Sequence, residues 1–238
     1  MNSIIQLIKG EIIRLIKYKI IFFGMLVSLI WLIIIAFQTK EQAQAIIPIL
    51  IVTDSGMMAV VLCGASFYFE KQENTVKSLL VAPVSLLQIL LAKIISAIVS
   101  AFVSLIIVVG FAVLYHGIEV QFLKLIVYML AIVISHTAIG YIIILKNKDF
   151  LSMLVVFSGV MLLFYVPALL NSLEIITSDY EFLALLSPSY SGEFLVKSSF
   201  IRSEWDKQLF AFIYLLGLGI GFYAGYVYKK FKIIAIEG

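Results

Sequence analysis

The sequence predicts an all-α polytopic membrane protein, and three observations support that prediction. The chain has 238 residues, of which 63% are hydrophobic and only 13% are charged, about half the charged share of a soluble domain. The mean hydropathy is +1.14. Six apolar runs are each long enough to cross a bilayer of about 30 Å as a helix. This composition excludes a soluble enzyme, a disordered chain and a nucleic-acid binder, because too few polar residues remain to cover a water-exposed surface.

The predicted spans form a single transmembrane domain over residues 1–238. In chain order they are 20–37, 46–69, 84–115, 121–145, 149–170 and 208–228. Cytoplasmic loops of membrane proteins are enriched in Lys and Arg. With the N-terminus inside, 12 of the 17 cations are cytoplasmic, namely Lys9, Arg14, Lys17, Lys19, Lys71, Lys77, Lys93, Lys146, Lys148, Lys229, Lys230 and Lys232. Both termini are therefore predicted to lie in the cytoplasm.

The segment before the first span, residues 2–18, reads as an amphipathic helix. Its apolar residues recur near the helical period, and Lys9, Glu11, Arg14 and Lys17 fall between them. Such a helix lies in the interface of the bilayer with its apolar face toward the lipid. Two interpretations stay open: an anchor with no other role, and an anchor that also contacts a cytoplasmic partner.

The loop 70–83, between the second and third spans, carries charge first and a short apolar turn afterwards. Asn74 or Thr75 can cap a helix of less than three turns, and Pro83 cannot continue that helix. Within it, residues 76, 79 and 80 are apolar and share one face. A short amphipathic helix in the cytosol suits docking into a groove of another protein. The alternative is an interfacial turn that rests on lipid headgroups.

The external stretch 171–206 contains acidic residues and apolar patches too short to span. The patch 182–186 is predicted to form a short helix that dips into the outer interface. Pro167 is expected to kink or end the fifth span, and Pro188 is expected to break any helix around it. The stretch is thus predicted to be a re-entrant region with short helices before the last span.

Polar residues inside the spans are candidates for a translocation pathway. Asp54 follows Thr53 and precedes Ser55, and a charge at that depth costs about 2.5–3.5 kcal/mol, so it should face protein or water. A contact with substrate or cation and a structural acid bonded to neighbouring hydroxyls are both open. His136 lies in the middle of the fourth span, where a hydrogen bond between helices is the commoner role.

Gly217, Gly221 and Gly225 recur every four residues in the last span. A stripe of this kind lets a second helix approach closely. Packing within the subunit is the favoured interpretation, and contact with a second subunit is the alternative.

The residues do not assemble into a catalytic site. Neither a Ser-His-Asp set nor a carboxylate pair can be built credibly from the spans, and His116 and His136 lack the spacing of a metal pair. The only cysteine, Cys63, is expected to pack in the core. We therefore expect the chain not to be an enzyme and to hold no metal and no cofactor of its own.

The loop at 70–85 resembles the cytoplasmic loop of ABC-2 type exporter permeases. That family shows a Glu-rich pattern that continues into Thr, a hydrophobic residue, two Leu and a Pro-(Val/Leu)-(Ser/Thr) ending. The matching residues are Glu70, Glu73, Asn74, Thr75, Val76, Leu79, Leu80, Pro83, Val84 and Ser85. The stretch 186–190 is similar to an external Asn-Pro-Leu-x-Tyr segment of the family, with Ser187 in place of Asn. The N-terminal amphipathic helix, six spans and re-entrant region match the family layout.

The resemblance implies the membrane subunit of an ATP-driven exporter in the bacterial cytoplasmic membrane. The loop would be the coupling helix that docks into a cytosolic ATPase subunit, through Glu70, Glu73, Thr75, Val76, Lys77, Leu79, Leu80 and Pro83. The chain has no phosphate-binding Gly-x-x-x-x-Gly-Lys-(Ser/Thr) motif, so ATP and Mg would be bound by that partner. The resemblance also implies a second permease subunit, the same or similar, and a drug, peptide or lipid-like substrate.

Two other classes remain as alternatives. The first is an ion-coupled secondary transporter that uses Asp54, although such carriers often contain internal repeats and none is evident between the two halves of this chain. The second is a membrane protein without transport activity, such as an immunity or assembly factor.

Overall fold

The computed structural model describes residues 3–73, 75, 83–172, 175 and 181–237, and within these ranges every regular element is a helix. In chain order they are α1 (Ser3–Lys17), α2 (Ile20–Ala36), α3 (Lys40–Ile51), a π-helical segment (Val52–Met58), α4 (Ala59–Gln72), α5 (Leu86–His116), α6 (Phe122–Lys146), α7 (Phe150–Ser172), α8 (Glu181–Ala184), α9 (Pro188–Lys197), α10 (Trp205–Phe222), a π-helical turn (Tyr223–Val227) and α11 (Tyr228–Glu237). The predicted all-α class is confirmed.

Among the described residues, five helical stretches are long and apolar enough to cross a membrane. They are Lys40–Gln72, Leu86–His116, Phe122–Lys146, Phe150–Leu170 and Trp205–Ile233. The pair α1 and α2 reaches that standard only together, and the two helices meet at a bend of 62°. The chain is therefore a multi-pass membrane protein, and its described residues provide five helices that could span the membrane, or six if the bent pair counts as one.

Helix α1 occupies the segment predicted to be amphipathic. Its Leu15 is buried, and it packs against α2 and α5. Ile13 and Ile16, on other faces of the helix, are 52% and 61% exposed. These exposed apolar side chains suit contact with lipid. The chain bends by 62° between α1 and α2, next to Lys19, whose φ of 57° places it in the left-handed region. The location of α1 at the membrane interface stays a prediction.

The second span consists of α3, the π-helical segment and α4 in one continuous run. Thr39 begins it with a capping box, in which its hydroxyl accepts from the backbone N–H of Gln42 and the Gln42 side chain accepts from the backbone N–H of Thr39. Pro48 lies inside α3 and lacks the N–H that would bond the preceding turn. The π-helical segment then follows over Val52–Met58, and such wide turns occur most often where a side chain must be displaced for function.

Helix α6 is the centre of the bundle. In its most apolar stretch 72% of the residues are buried, against 22% for α7 and for the last span. It packs against α4, α5, α7, α9 and α10. The contact with α4 is close because Gly140 has no side chain: a Cβ there would lie 2.2 Å from Val60 Cγ1. The functional side chains of α4 and the π-helical segment are thus held against a rigid central helix.

The external region folds differently from the expectation at both prolines. Pro188 does not break a helix but begins α9, with Ser187 as the N-cap residue, because proline has no N–H to lose in the first turn. Helix α7 continues through Pro167 to Ser172, so that proline does not end the span. Helix α9 inserts against α3, α6, α7 and α10. Residues 173, 174 and 176–180 of the predicted region lie outside the described residues.

Among the described residues, the glycine stripe of the last span makes no close contact within the subunit, so the favoured interpretation gains no support. A Cβ at Gly217, Gly221 or Gly225 would meet nothing within 4 Å among the described residues. The close approach is made by Gly219, where a Cβ would lie 2.8 Å from Ile134 Cγ2 and 3.0 Å from the backbone nitrogen of Ser135. The four-residue spacing gives the three glycines a common face, but that face points away from α6.

Replacing Gly219 by Ala should destabilise the subunit, whereas replacing Gly217 by Ala should not. The new Cβ of Gly219→Ala meets the backbone of α6, which cannot rotate away, and overpacking of this kind costs about 1–3 kcal/mol. Thermal unfolding midpoints of the two variants in the same detergent test this. Equal midpoints for both variants would contradict the close contact between α10 and α6.

Candidate functional site

Four charged side chains meet inside the protein where α1, α4 and α5 come together. We call this set, Glu11, Arg14, Glu70 and Lys93, the charge network. Lys93 Nζ lies 2.7 and 2.6 Å from the two carboxylate oxygens of Glu70 and 3.0 Å from Glu11 Oε1. Arg14 Nη2 donates to Glu11 Oε1 at 2.6 Å, and Arg14 Nε lies 3.5 Å from Glu70 Oε1. Two cations and two anions therefore compensate one another.

The charge network is enclosed by protein. The side chain of Glu70 is 0% exposed, those of Glu11 and Lys93 are each 4% exposed, and that of Arg14 is 18% exposed. Isolated charges are too costly to bury, so such groups occur in pairs with well-formed hydrogen bonds. The hydroxyl of Ser96 donates to the carbonyl oxygen of Lys93 at 2.8 Å. The arrangement requires all four charges together, because removal of one leaves another unpaired.

The position of the charge network relates it to the cytoplasmic loop predicted from the sequence. Glu70 belongs to the last turn of α4, at the start of the loop, and Lys93 lies two turns into α5, beyond the end of the loop. Their ion pair thus joins the two ends of the loop. Glu11 and Arg14 come from α1 and attach that helix to the same point. A displacement of the loop would be transmitted to three helices.

A second, exposed group extends the network toward the solvent. The hydroxyl of Tyr18 donates to Glu73 Oε2 at 2.5 Å, and Lys17 Nζ lies 3.5 Å from Glu73 Oε1. The hydrogen bond from Tyr18 and the charge of Lys17 lower the pKa of the Glu73 carboxyl below its ordinary value. The hydroxyl of Thr75 donates to the carbonyl oxygen of Glu70 at 3.1 Å. The end of α4 is therefore fixed to the end of α1.

Asp54 is buried in the π-helical segment and faces α2. It is 2% exposed, and its Oδ2 accepts a hydrogen bond of 2.5 Å from the Ser28 hydroxyl. Its Oδ1 is also buried and has no hydrogen-bond partner among the described residues. The Ser104 hydroxyl of α5 is a second hydrogen-bonding neighbour of this carboxyl group. Hydroxyls on two neighbouring helices fit a structural acid, and the buried Oδ1 can also accept a donor from a substrate or a water molecule.

The other predicted pathway residues point toward different helices. Thr53 forms a hydrogen bond of 2.6 Å with the Tyr165 hydroxyl of α7 and donates to the carbonyl oxygen of Ile49. His136 is fully buried, and its Nδ1 donates to the carbonyl oxygen of Ile132 at 2.9 Å. The His136 ring packs beside Gly56, since a Cβ there would lie 3.6 Å from its Cγ. Ser55 lies in the π-helical segment.

Comparison with known proteins identifies the family. The sequence model described as ABC-2 family transporter protein matches residues 7–168. The chain belongs to the ABC-2 transporter family. The matched part contains most of α1, the bent entry into α2, the whole charge network and the loop 70–83. No curated protein matches the chain.

Membership in the ABC-2 family makes the chain a membrane component of a transporter. Of the predicted coupling residues, Glu73 and Pro83 are accessible at the two ends of the loop. Glu70 is instead buried against Lys93, so its carboxylate does not reach the surface to meet a basic residue of a partner. Five residues of the predicted coupling helix lie outside the described residues, namely Asn74, Val76, Lys77, Leu79 and Leu80. Their role stays a prediction.

Sequence reasoning treated Lys93, Glu11 and Arg14 as ordinary charges of the cytoplasmic side. A signal for their burial was present, because Lys93 stands inside an uninterrupted apolar run and a cation in such a run needs an acidic partner nearby. The identity of that partner was not readable, since Glu11, Glu70 and Glu73 are all close to the same end of the bundle.

Replacing Asp54 by Asn should reduce ATP-driven transport while expression in the membrane stays normal. The Asn side chain keeps an acceptor for Ser28 but removes the charge, and a hydrogen bond to a charged group contributes about 1.5–3 kcal/mol, which corresponds to tenfold or more in transport rate. Ser28→Ala is the matched control because it removes the hydrogen bond and keeps the carboxylate. If Asp54→Asn transports normally, the residue is structural and has no part in the pathway.

Proposed function

We propose that this chain is the permease subunit of an ATP-driven exporter in the bacterial cytoplasmic membrane. The observation that supports the proposal is the ABC-2 family match over residues 7–168, which covers most of the chain. A separate ATPase subunit binds ATP and Mg and supplies the energy. Both termini face the cytosol, in keeping with the distribution of Lys and Arg. The substrate is a drug, a peptide or a lipid-like molecule, which suits an apolar interior.

The charge network gives this proposal a mechanical basis. An ATPase that binds the loop 70–83 can move the spans only if the loop is rigidly connected to them, because a flexible loop would absorb the movement of the ATPase. The ion pair between Glu70 and Lys93 closes the loop at its root, and Arg14 and Glu11 add α1 to the same unit. Closure of the ATPase dimer then moves α4 and α5 together, and the spans alternate between two arrangements that the ATPase binds unequally.

We further propose that two permease subunits enclose the path. Large parts of α7 and α10 are exposed and apolar, for example Leu162 and Leu163 at 71% and Ile213 at 59%. The glycine face of α10 is open as well. In a bilayer these surfaces contact either lipid or a second subunit, and small residues favour close helix contact.

Purification in mild detergent from native membranes tests the proposal. The exporter predicts that an ATPase subunit co-purifies and that the reconstituted complex transports only with ATP. A lone chain that transports in liposomes under an ion gradient would support the ion-coupled carrier instead. Crosslinking in the native membrane should give a dimeric band, and a purely monomeric pattern would contradict the two-subunit arrangement.

A further inference from the structure

An open apolar groove of about 520 Å³ lies on the outer surface of the bundle, between α5 and the last span. Four residues of α5 between Leu87 and Ile94 form one wall, and Ile220, Ala224 and Tyr228 form the other. Ile134 of α6 forms the floor. The groove is open rather than covered, because Leu87 is 55% and Ile220 61% exposed.

The groove extends through most of the depth of one lipid leaflet. At a rise of 1.5 Å per residue, its walls extend about 10 Å along α5 and about 12 Å along the last span, against roughly 15 Å for half of the hydrocarbon core. Its floor residue, Ile134, is at the middle of the 25-residue helix α6. The groove therefore runs from near one surface of the membrane to its centre.

Positive charge is concentrated where the groove reaches the membrane surface. Lys229, Lys230 and Lys232 follow Tyr228 directly. Lys232 is four residues after Tyr228 and so lies on the same helix face. Within the described part of the chain, none of the three lysines forms an ion pair with an acidic residue. Tyr228 marks the boundary, since a tyrosine ring prefers the level of the headgroups.

We propose that this groove is a binding site for one anionic phospholipid, with an acyl chain between α5 and the last span and the phosphate at the three lysines. An apolar groove inside a bilayer is filled by hydrocarbon because water gains no hydrogen bonds there. Unpaired lysines at the rim select a negative headgroup over a neutral one. If a second protein subunit filled the groove, it would have to bring acidic residues to the lysines. A lipid with a neutral headgroup would fill the groove but would leave the three lysines without a partner.

Fluorescence quenching by brominated lipids tests the site without an ATPase or a substrate. The two native tryptophans are replaced by Trp31→Phe and Trp205→Phe, and Tyr228→Trp supplies a reporter at the rim. We expect brominated phosphatidylglycerol to bind near this reporter about fivefold more tightly than brominated phosphatidylcholine, the effect of roughly one lysine beside a headgroup. A reporter on the exposed face of α7, Leu162→Trp, should show no such preference.

Two sets of variants separate the charge from the groove. A triple variant should remove the preference for the anionic lipid; it carries Lys229→Gln, Lys230→Gln and Lys232→Gln. A control variant with Lys71→Gln and Lys148→Gln should keep that preference. Ala224→Phe should fill the groove and weaken quenching at the rim by both lipids. Equal preference at positions 228 and 162, or a preference unaffected by the three lysine changes, would overturn the proposal. Shielding of the rim reporter from both lipids would overturn it too, because protein would then occupy the groove.

Discussion

Replacing Lys93 by Ala should be among the most destabilising single substitutions in this protein. The change leaves Glu11 and Glu70 buried with only Arg14 to compensate two negative charges. Removal of one partner from a buried ion pair costs about 3–5 kcal/mol, because the remaining charge is uncompensated. We expect a strongly lowered thermal unfolding midpoint in detergent and a reduced amount of protein in the membrane.

The ion pairs of Lys207 provide a matched control. Lys207 Nζ also contacts two carboxylates, Glu181 at 2.7 Å and Glu204 at 3.1 Å, but Lys207 and Glu181 are 20% and 24% exposed and Glu204 is 70% exposed. Exposed pairs contribute roughly 0–1 kcal/mol. Lys207→Ala should therefore cost far less than Lys93→Ala, although both remove a cation with two acidic partners. Similar losses for the two variants would mean that burial does not decide the strength of the network.

A double replacement distinguishes lost charge from lost packing. Lys93→Met with Glu70→Gln removes one cation and one anion and keeps most of the side-chain volume. Buried ion pairs replaced by uncharged groups of similar size are often no less stable, so the double variant should recover much of the stability lost in Lys93→Ala. If coupling through the network matters for transport, this variant folds well but transports poorly. That result would assign Glu70 and Lys93 a positioning role rather than a purely structural one.

The sequence was sufficient for the fold class and insufficient for the network. Hydropathy alone located the five helices that are long and apolar enough to span a membrane, because a helix in lipid must satisfy its own backbone and bury apolar side chains over about 20 residues. The partner of a buried charge depends on how helices rotate and cross, and neither is encoded in a periodic pattern. Lys93 and Glu70 are 23 residues apart, and the loop between them could have closed in several ways.

The same dependence on helix packing explains why the structure differs from the expectations for the glycine stripe and for Pro188. The spacing of Gly217, Gly221 and Gly225 predicts a common face, but the direction of that face is set by contacts of α10 with α6, where Gly219 is the residue in contact. Pro188 breaks a helix only from the interior, and its position directly after a capping serine makes it a helix start. In each case the local sequence is compatible with two arrangements, and the packing of the helices determines which of them forms.

The second large effect is expected in the loop itself. Leu79→Asp with Leu80→Asp should abolish association with the ATPase while the chain still inserts into the membrane. Each buried leucine contributes about 1.5–3 kcal/mol to docking, so the loss of both weakens binding of the ATPase by more than about a hundredfold. The two new carboxylates add the cost of burying charge in the docking groove of the ATPase. Retention of the ATPase in a pull-down and ATP-driven transport are measured on the same preparation.

Two variants in the same loop distinguish docking from contact with lipid headgroups. Lys71→Gln changes an exposed charge at the start of the loop, outside the set of predicted coupling residues, and it should leave the ATPase attached. Glu73→Lys should weaken docking less than the double Asp variant and in a salt-dependent way, because Glu73 is partly exposed and charges there are screened. It also breaks the hydrogen bond from Tyr18 that keeps the Glu73 pKa low. If the loop merely rests on headgroups, the double Asp variant keeps its ATPase and its transport, and the coupling role of residues 70–83 is wrong.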